Sequence, residues 1–203
     1  KQAQGFPVSK SLGLFKDSLL ILIAFFLFCQ SSFEAIVNNW TTTFLTSGLA
    51  VSQNSALYAL SLFVTGMTIM RLLLGSIFRN ISLKSLWIAA FTMIFLGLIF
   101  LWFEKYFSLS VTGLILLGAG LAGGFPLMLG LVGDRYKELS GTAFSLVFVI
   151  ALIGNMLINS GMGIIAQMYG IHHLITVGFI ELIVMIILCY TILTSSKRLK
   201  VEG

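Results

Sequence analysis

The sequence predicts an all-α membrane protein with six transmembrane helices. The first observation is composition: 58% of the 203 residues are hydrophobic and only 9% are charged, whereas about 25% of the residues in a soluble domain are charged. The second is a succession of apolar segments that are each long enough to cross a bilayer. The third is the placement of basic residues on alternate loops, which explains the net charge of +5 without a nucleic-acid partner.

A spanning helix needs about 20 mostly apolar residues, and six segments of the chain meet this requirement. Their predicted ranges are 18–46, 56–78, 86–103, 110–132, 142–167 and 172–194. The first and fifth are long enough to require tilting or projection beyond the bilayer. Short stretches such as "RNISLKS" and "GDRYKELSG" separate the segments. We therefore expect one transmembrane bundle over residues 18–194.

The two ends of the chain are polar. Residues 1–17 lack the apolar core of a signal peptide, and we expect them to form a cytoplasmic linker. Because the sequence begins with Lys1, we also expect it to be a piece of a longer protein. Residues 195–203 are predicted to form a cytoplasmic tail.

The basic residues predict the orientation of the bundle. With the N-terminus in the cytoplasm, only Lys105 lies outside, and Arg71 lies within a span. All the other basic residues are then cytoplasmic: Lys1, Lys10, Lys16, Arg79, Lys84, Arg135, Lys137, Lys197, Arg198 and Lys200. Cytoplasmic loops are enriched in Lys and Arg, so both termini are predicted to be cytoplasmic, in a membrane that we expect to be the bacterial inner membrane.

The spans differ in the surfaces that they are expected to contact. The third is nearly uniform in its apolar character, with Trp87 and Trp102 at its ends as expected interfacial anchors, so we expect it to face lipid. The fourth and fifth are rich in glycine, which allows helices to approach closely and often marks binding regions in membrane proteins. These two spans are therefore expected to pack closely or to line a cavity.

Polar residues form a stripe on the first span. Gln30, Glu34 and Asn38 are spaced at i, i+4 and i+8 and therefore share one helix face, with Asn39 and Trp40 directly after them. A carboxylate inside a membrane is a functional hypothesis by default, because it costs roughly 2.5–3.5 kcal/mol to insert. Amide, carboxylate and indole groups suit a neutral polyhydroxylated solute. These five residues are the first candidates for a substrate site.

The fifth span adds a second pair of candidates, Asn155 and Asn159, again at i, i+4. Two interpretations of this pair stay open: a contribution to the substrate site, or hydrogen bonds that only join neighbouring helices. Glu34 also has three candidate roles, as a ligand for substrate hydroxyls, a proton carrier or the partner of a cation.

The roles of the remaining charged residues are predicted from their expected depth in the membrane. Arg71 is expected to lie too close to the cytoplasmic end of its span to reach Glu34, and a partner such as Asp134 is expected instead. Arg71, Asp134 and Arg135 form the predicted cytoplasmic gate. Glu181 lies well inside the sixth span and is expected to face a neighbouring helix.

No metal or cofactor is predicted. His172 and His173 lie at an expected interface without metal-ligand spacing. Cys29 and Cys189 are expected to be thiols buried in apolar spans.

Two segments resemble the C-terminal half of a major facilitator superfamily transporter. "GMTIMRLLLGSIFRNISLK" (66–84) is similar to the second helix of a half and the loop after it, with Gly75 and Lys84 matching and Arg79 and Ser82 departing from the family pattern. The glycine-rich stretch 120–170, with its Phe–Pro kink and charged loop, is a closer match. The resemblance implies a 3+3 inverted-repeat bundle, alternating access, and an N-terminal six-helix half as partner.

A third segment narrows the resemblance. "FEAIVNNWTTTFL" resembles the fucose permease-like sugar:proton symporters, with Glu34, Trp40, Phe44 and Leu45 at matching positions. This implies proton-coupled uptake of a monosaccharide. The alternative within the superfamily is a non-sugar solute such as a drug or an organic anion.

Two remote alternatives lie outside the superfamily. One is a non-transporting membrane module. The other is an intramembrane serine protease with Ser160 as nucleophile, although Ile158 stands where that enzyme requires glycine.

Overall fold

The computed structural model describes residues 13–103 and 106–201, with side chains through residue 196. Two short 3-10 turns, Ile77–Asn80 and Lys137–Leu139, follow the second and fifth helices. Seven long helices make up this part of the chain: α1 (Ser18–Gly48), α2 (Gln53–Gly75), α3 (Leu83–Trp102), α4 (Phe107–Leu121), α5 (Gly124–Arg135), α6 (Ser140–Tyr169) and α7 (His173–Val201).

Six segments of the described chain are long and apolar enough to cross a membrane. Five are single helices or a helix with a short turn, and the sixth, Phe107–Arg135, is α4 followed directly by α5. The six-span prediction is therefore confirmed. The chain is an integral, multi-pass membrane protein.

The starts of the first three helices are fixed by side-chain caps. Asp17 Oδ1 accepts hydrogen bonds from the backbone N–H groups of Leu19 and Leu20 at 3.0 and 3.3 Å, which satisfies donors that a helix start leaves free. Ser52 and Ser82 cap α2 and α3 in the same way. Because Ser52 is the cap, α2 begins three residues before the predicted 56.

Helix α1 is the central element of the bundle. It packs against α2, α5, α6 and α7, while α3 packs against α4 and α7. Phe26, Phe33 and Phe44 of α1, with Phe63 of α2, are the largest of the fully buried side chains. The polar stripe is therefore carried by the helix that packs against four of the other six helices.

Helix α3 has one buried side, while Ile88, Phe95 and Leu96 on its surface are exposed. Trp102 is exposed, as expected for an interfacial anchor, but the expectation for Trp87 is wrong because only 3% of this residue is exposed. Its ring packs edge-on against Phe26 at 5.2 Å between centroids and stacks with Phe91. Trp87 lies on the side of α3 that faces the core, so burial of its large apolar ring outweighs its tendency to sit at an interface.

Glycines let α3 and α4 cross in direct backbone contact. A Cβ atom built on Gly97 would lie 2.7 Å from the Gly113 carbonyl oxygen, and one built on Gly113 would lie 2.8 Å from the Gly97 carbonyl oxygen. Neither position has room for a methyl group. The expectation that the glycine-rich fourth span packs closely is confirmed.

The fourth span keeps helical backbone angles from Phe107 to Arg135, three residues beyond each end of the predicted 110–132, but its helical hydrogen bonding is not continuous. It is interrupted at Ala122 and Gly123, between α4 and α5. Pro126 accounts for the break, because proline has no N–H to donate to the carbonyl of residue 122 and its ring clashes with that carbonyl in a regular helix. The main-chain carbonyls at the end of α4 therefore need other partners.

Candidate functional site

The stripe on α1 is joined by its own hydrogen bonds. Gln30 is almost completely buried, and its Nε2 donates to Glu34 Oε1 at 2.9 Å. Asn38 is exposed, and its Nδ2 donates to the Glu34 carbonyl oxygen at 2.8 Å. The i, i+4 spacing thus produces one connected row, with its buried end at Gln30 and its open end at Asn38.

Arg71 pairs with Glu34, and the expectation that it does not reach this carboxylate is wrong. Its terminal nitrogen lies 3.2 Å from Glu34 Oε1 and 3.4 Å from Oε2. In the described part of the chain this is the one ion pair within 4 Å. The expected pairing of Arg71 with Asp134 is thus replaced by a pairing with Glu34.

The register of the α1–α2 hairpin explains this pairing. Glu34 lies 14 residues before the end of α1 at Gly48, and Arg71 lies 18 residues after the start of α2 at Gln53. At 1.5 Å per residue the offset of four residues is about 6 Å, which one extended arginine side chain spans. The prediction considered only the position of Arg71 along its own span, and it therefore placed Arg71 too far from Glu34.

The break in the fourth span lies directly against this cluster. Gln30 Nε2 donates to the Leu121 carbonyl oxygen at 2.7 Å, and Arg71 Nε donates to the Ala122 carbonyl oxygen at 3.4 Å. These two carbonyls belong to the end of α4, where the helix dipole places partial negative charge. The guanidinium therefore lies between a carboxylate and the negative end of a helix.

A second polar cluster joins α1 to α6. Asn159 Oδ1 accepts hydrogen bonds from Trp40 Nε1 at 3.0 Å and from Asn39 Nδ2 at 3.2 Å. Gly163, one turn further along α6, lies against the Trp40 ring. Asn155 is half-buried one turn before Asn159. The structure thus brings together candidates that are 119 and 120 residues apart in sequence.

Both clusters border an open face of the bundle. The Arg71 side chain is 44% exposed and that of Glu34 is 19% exposed, so the charged pair is accessible from this side. Asn38 and Asn39 are exposed as well. The arrangement offers one cation, one carboxylate and several amides to a small solute.

Asp134 and Arg135 lie apart from this cluster, in the last turn of α5. Both are exposed, and they line a small cavity together with Leu19 at the start of α1. The Arg135 guanidinium lies 5.9 Å from the centre of the Tyr136 ring. Burial, reinforced by the Asp17 carboxylate, raises the pKa of the Tyr136 phenol, so the ring next to Arg135 is neutral at physiological pH.

Glu181 belongs to the core behind α1. It is 6% exposed, and one of its oxygens accepts a hydrogen bond from the Ser32 hydroxyl. The other oxygen, Oε2, has no hydrogen-bond partner among the described residues. Ser32 and Glu34 are two residues apart, which is about 200° around a helix, so the two carboxyl groups lie on opposite sides of α1.

Ser32 and the carbonyls of Leu121 and Ala122 belong to these clusters although the sequence pattern did not indicate them. The proline four residues after Ala122 was the available signal, since it predicts which carbonyl loses its donor. His172 and His173 are exposed at the start of α7. Within the described ranges, no group of three His, Cys, Asp or Glu side chains has the arrangement of a metal site.

The sequence profile of the Major Facilitator Superfamily matches residues 4–202. The chain belongs to the major facilitator superfamily. No curated protein matches the sequence. Among solved structures, the in meso crystal structure of the POT family transporter PepTSo is similar, with a TM-score of 0.74 at 21% sequence identity.

That alignment covers 89% of this chain and 37% of the transporter chain. This major facilitator chain therefore spans a little over one third of the length of the transporter that it resembles. At 21% identity the similarity concerns the fold. The expected superfamily resemblance is confirmed, while the narrower resemblance to fucose permease-like symporters stays a prediction.

Proposed function

We propose that this chain is the C-terminal half of a secondary active transporter that moves a small polar solute by alternating access, most simply a monosaccharide together with a proton. The observation that carries the proposal is the Gln30–Glu34–Arg71 cluster, which borders an open face and contacts the fourth span where its helical hydrogen bonding is interrupted. Irregular transmembrane helices are typical of solute and ion sites in transporters. Membership in the superfamily favours transport over hydrolysis at Ser160.

The missing partner in this proposal is an N-terminal six-helix half, joined through residues 1–17. The part of α2 around Arg71 and the part of α6 near Asn155 expose large apolar side chains, among them Ile69, Leu72, Met156 and Leu157. A second bundle packed over these helices would turn the open face into a central cavity. The gate role of Asp134 and Arg135, the cytoplasmic termini and the bacterial inner membrane belong to the same proposal.

A monosaccharide suits the chemistry of the open face. Asn38 and Asn39 provide amide donors and acceptors, and Glu34 provides an acceptor for hydroxyl groups. The Trp40 ring supplies an apolar surface for the face of a sugar, with its indole N–H already bonded to Asn159. Glu34 is also the group to which a coupling proton would be transferred.

A solute with charge is the second candidate, and Arg71 is the observation that favours it. Its guanidinium is 44% exposed and would bind a carboxylate of an organic anion in bidentate fashion. Such a solute would compete with Glu34 for Arg71. A neutral sugar would leave the Glu34–Arg71 pair in place.

The test uses the full-length protein that contains this chain, expressed in lightly buffered cells. External pH is recorded while hexoses, including fucose, glucose and galactose, and then organic anions are added in turn. Alkalinisation with one hexose, lost in Glu34→Gln and kept in the control Arg79→Ala, is the expected result. A response to anions alone would favour the second candidate, and no response to any solute would contradict proton-coupled uptake of these solutes.

A further inference from the structure

The break between α4 and α5 depends on side chains from two other helices. Gln30 of α1 satisfies the Leu121 carbonyl and Arg71 of α2 satisfies the Ala122 carbonyl. Buried main-chain carbonyls are nearly always hydrogen-bonded, so these two donors stabilise the interrupted form of the helix. Without them, the carbonyls at the end of α4 would need new partners.

Both donors are also held by the same carboxylate. Glu34 accepts from Gln30 at 2.9 Å and from Arg71 at 3.2 and 3.4 Å. The Gln30 amide lies against Gly124, the first residue of α5, where an added Cβ would collide with it. A change at Glu34 therefore alters both contacts that fix the start of α5.

The surroundings of the break leave room for movement. An apolar cavity of about 270 Å³ lies between α2, α3 and the break, and Leu74, Gly120, Gly123 and Leu127 are among its lining residues. Helix α5 has 12 residues and is about 18 Å long. A small rotation at Gly123 would therefore displace Asp134 and Arg135 at its far end by several times the shift at the break.

The charges around Glu34 single it out as the switch. From α2 it faces Arg71, and from the end of α4 the Ala122 carbonyl lies on the same guanidinium. The charged residues of α5, Asp134 and Arg135, lie in its last turn, and α6 has no Asp, Glu, Lys, Arg or His. On α1 itself the other titratable group is Cys29. Glu181 of α7 lies on the opposite side of α1, bonded to Ser32. A proton taken up by Glu34 would cancel the charge that holds Arg71.

We propose that Gln30 and Arg71 are positioning residues that clamp the break between α4 and α5, and that the charge of Glu34 sets the clamp. A proton that binds Glu34 weakens its hold on Arg71 and Gln30, the two carbonyls lose their fixed donors, and α5 pivots at Gly123. Binding on the open face is thereby transmitted to the cytoplasmic end of α5. This inference rests on the proposed transport function, but its structural test does not.

The test measures the pivot directly in the full-length protein in nanodiscs. Spin labels are placed at Lys84→Cys on α3 and Gly130→Cys on α5, two exposed positions, with Cys29 and Cys189 replaced by alanine. The distance between the labels is recorded at high and low pH. We expect a pH-dependent shift in the parent, the low-pH distribution at every pH in Glu34→Gln, and the same release in Arg71→Ala.

Two further variants distinguish a positioning role of Arg71 and Gln30 from a purely stabilising role. Arg71→Lys keeps a cation near Glu34 and is expected to restore the pH-dependent shift, whereas Gln30→Leu is expected to broaden the distribution at all pH values. Arg79→Ala, which removes an exposed arginine of the loop after α2, is the matched control and should behave as the parent. Distances that are identical in the parent, Glu34→Gln and Arg71→Ala would overturn the clamp.

The clamp and the transport proposal can fail separately. If solute uptake is proton-coupled but the label distance does not respond to Glu34→Gln, the clamp is wrong and the proposed function stands. If the distance responds as expected but no hexose or anion is taken up, the clamp stands and the choice of solutes is wrong.

Discussion

Glu34 shows how a carboxylate is accommodated inside a transmembrane bundle. An unpaired acidic side chain at mid-membrane costs roughly 2.5–3.5 kcal/mol on insertion scales. Here the Glu34 carboxylate accepts hydrogen bonds from Arg71, which is partly exposed, and from Gln30, which is buried. The arginine is too exposed for the pair itself to contribute much to stability, so the network is better explained by what it positions than by the energy of one ion pair.

Gln30 is the residue whose loss is expected to be most costly in this network. In Gln30→Leu the Leu121 carbonyl and Glu34 each lose a donor in a buried region. Leaving one buried polar group unsatisfied costs about 1–3 kcal/mol, so the free energy of unfolding should fall by at least that amount. Reversible unfolding in detergent checks this value. Asn38→Ala, at the exposed end of the stripe, serves as the control and should change it by less than about 0.5 kcal/mol.

Ser32 and Glu181 are expected to act as a coupled pair. Ser32→Ala removes the hydroxyl that bonds the buried Glu181 carboxyl and should destabilise the protein by about 1–3 kcal/mol. In a Glu181→Leu background the same change should cost much less, because no carboxyl remains to be satisfied. A double-mutant cycle measures the coupling, expected within about 0.5–3 kcal/mol. Additive effects would contradict a direct interaction.

At the level of helices, the fourth span combines tight packing with an interruption. Its first part, α4, crosses α3 at Gly97 and Gly113, and its second part begins after Gly123 and Pro126. Close packing lies on one side of the interruption and a cavity lies beside it. This arrangement is what the proposed pivot of α5 against a fixed α4 requires.

The α3–α4 crossing gives a prediction at this scale. Gly97→Ala places a methyl group 2.7 Å from the Gly113 carbonyl oxygen, and such overpacking typically costs about 1–3 kcal/mol. Thermal unfolding should show the loss. Gly141→Ala, at an open position near the start of α6 where nothing lies within 4 Å, is the matched control and should be neutral. Equal effects of the two substitutions would contradict the close crossing.

At the scale of the whole molecule, the exposed polar cluster leads to a prediction about transport by the isolated chain. The chain matches 37% of the length of the transporter that it resembles, and its site opens on one side. If the site is completed by a second half, the 203-residue chain reconstituted alone in liposomes should show no vectorial uptake of hexoses, while the full-length protein should show it. Saturable uptake by the isolated chain would contradict the half-transporter proposal.

Hydropathy and residue spacing determined the general architecture. Apolar length specified six spans because a bilayer imposes a minimum length on any helix that crosses it. The i, i+4 spacing placed Gln30, Glu34 and Asn38 in one row, since helical periodicity is a local property. Glycine content predicted the close crossing of the fourth span, although not which carbonyl oxygen each glycine meets.

Contacts between distant residues were decided by the tertiary structure alone. The register of the α1–α2 hairpin brought Arg71 to Glu34, and the packing of α4 against α1 and α2 gave the carbonyls freed near Pro126 their donors. Core packing buried Trp87, and the approach of α6 to α1 paired Asn159 with Trp40. These partners depend on how helices are placed and how far long side chains extend across the gaps between them, which hydropathy and spacing within one helix do not encode.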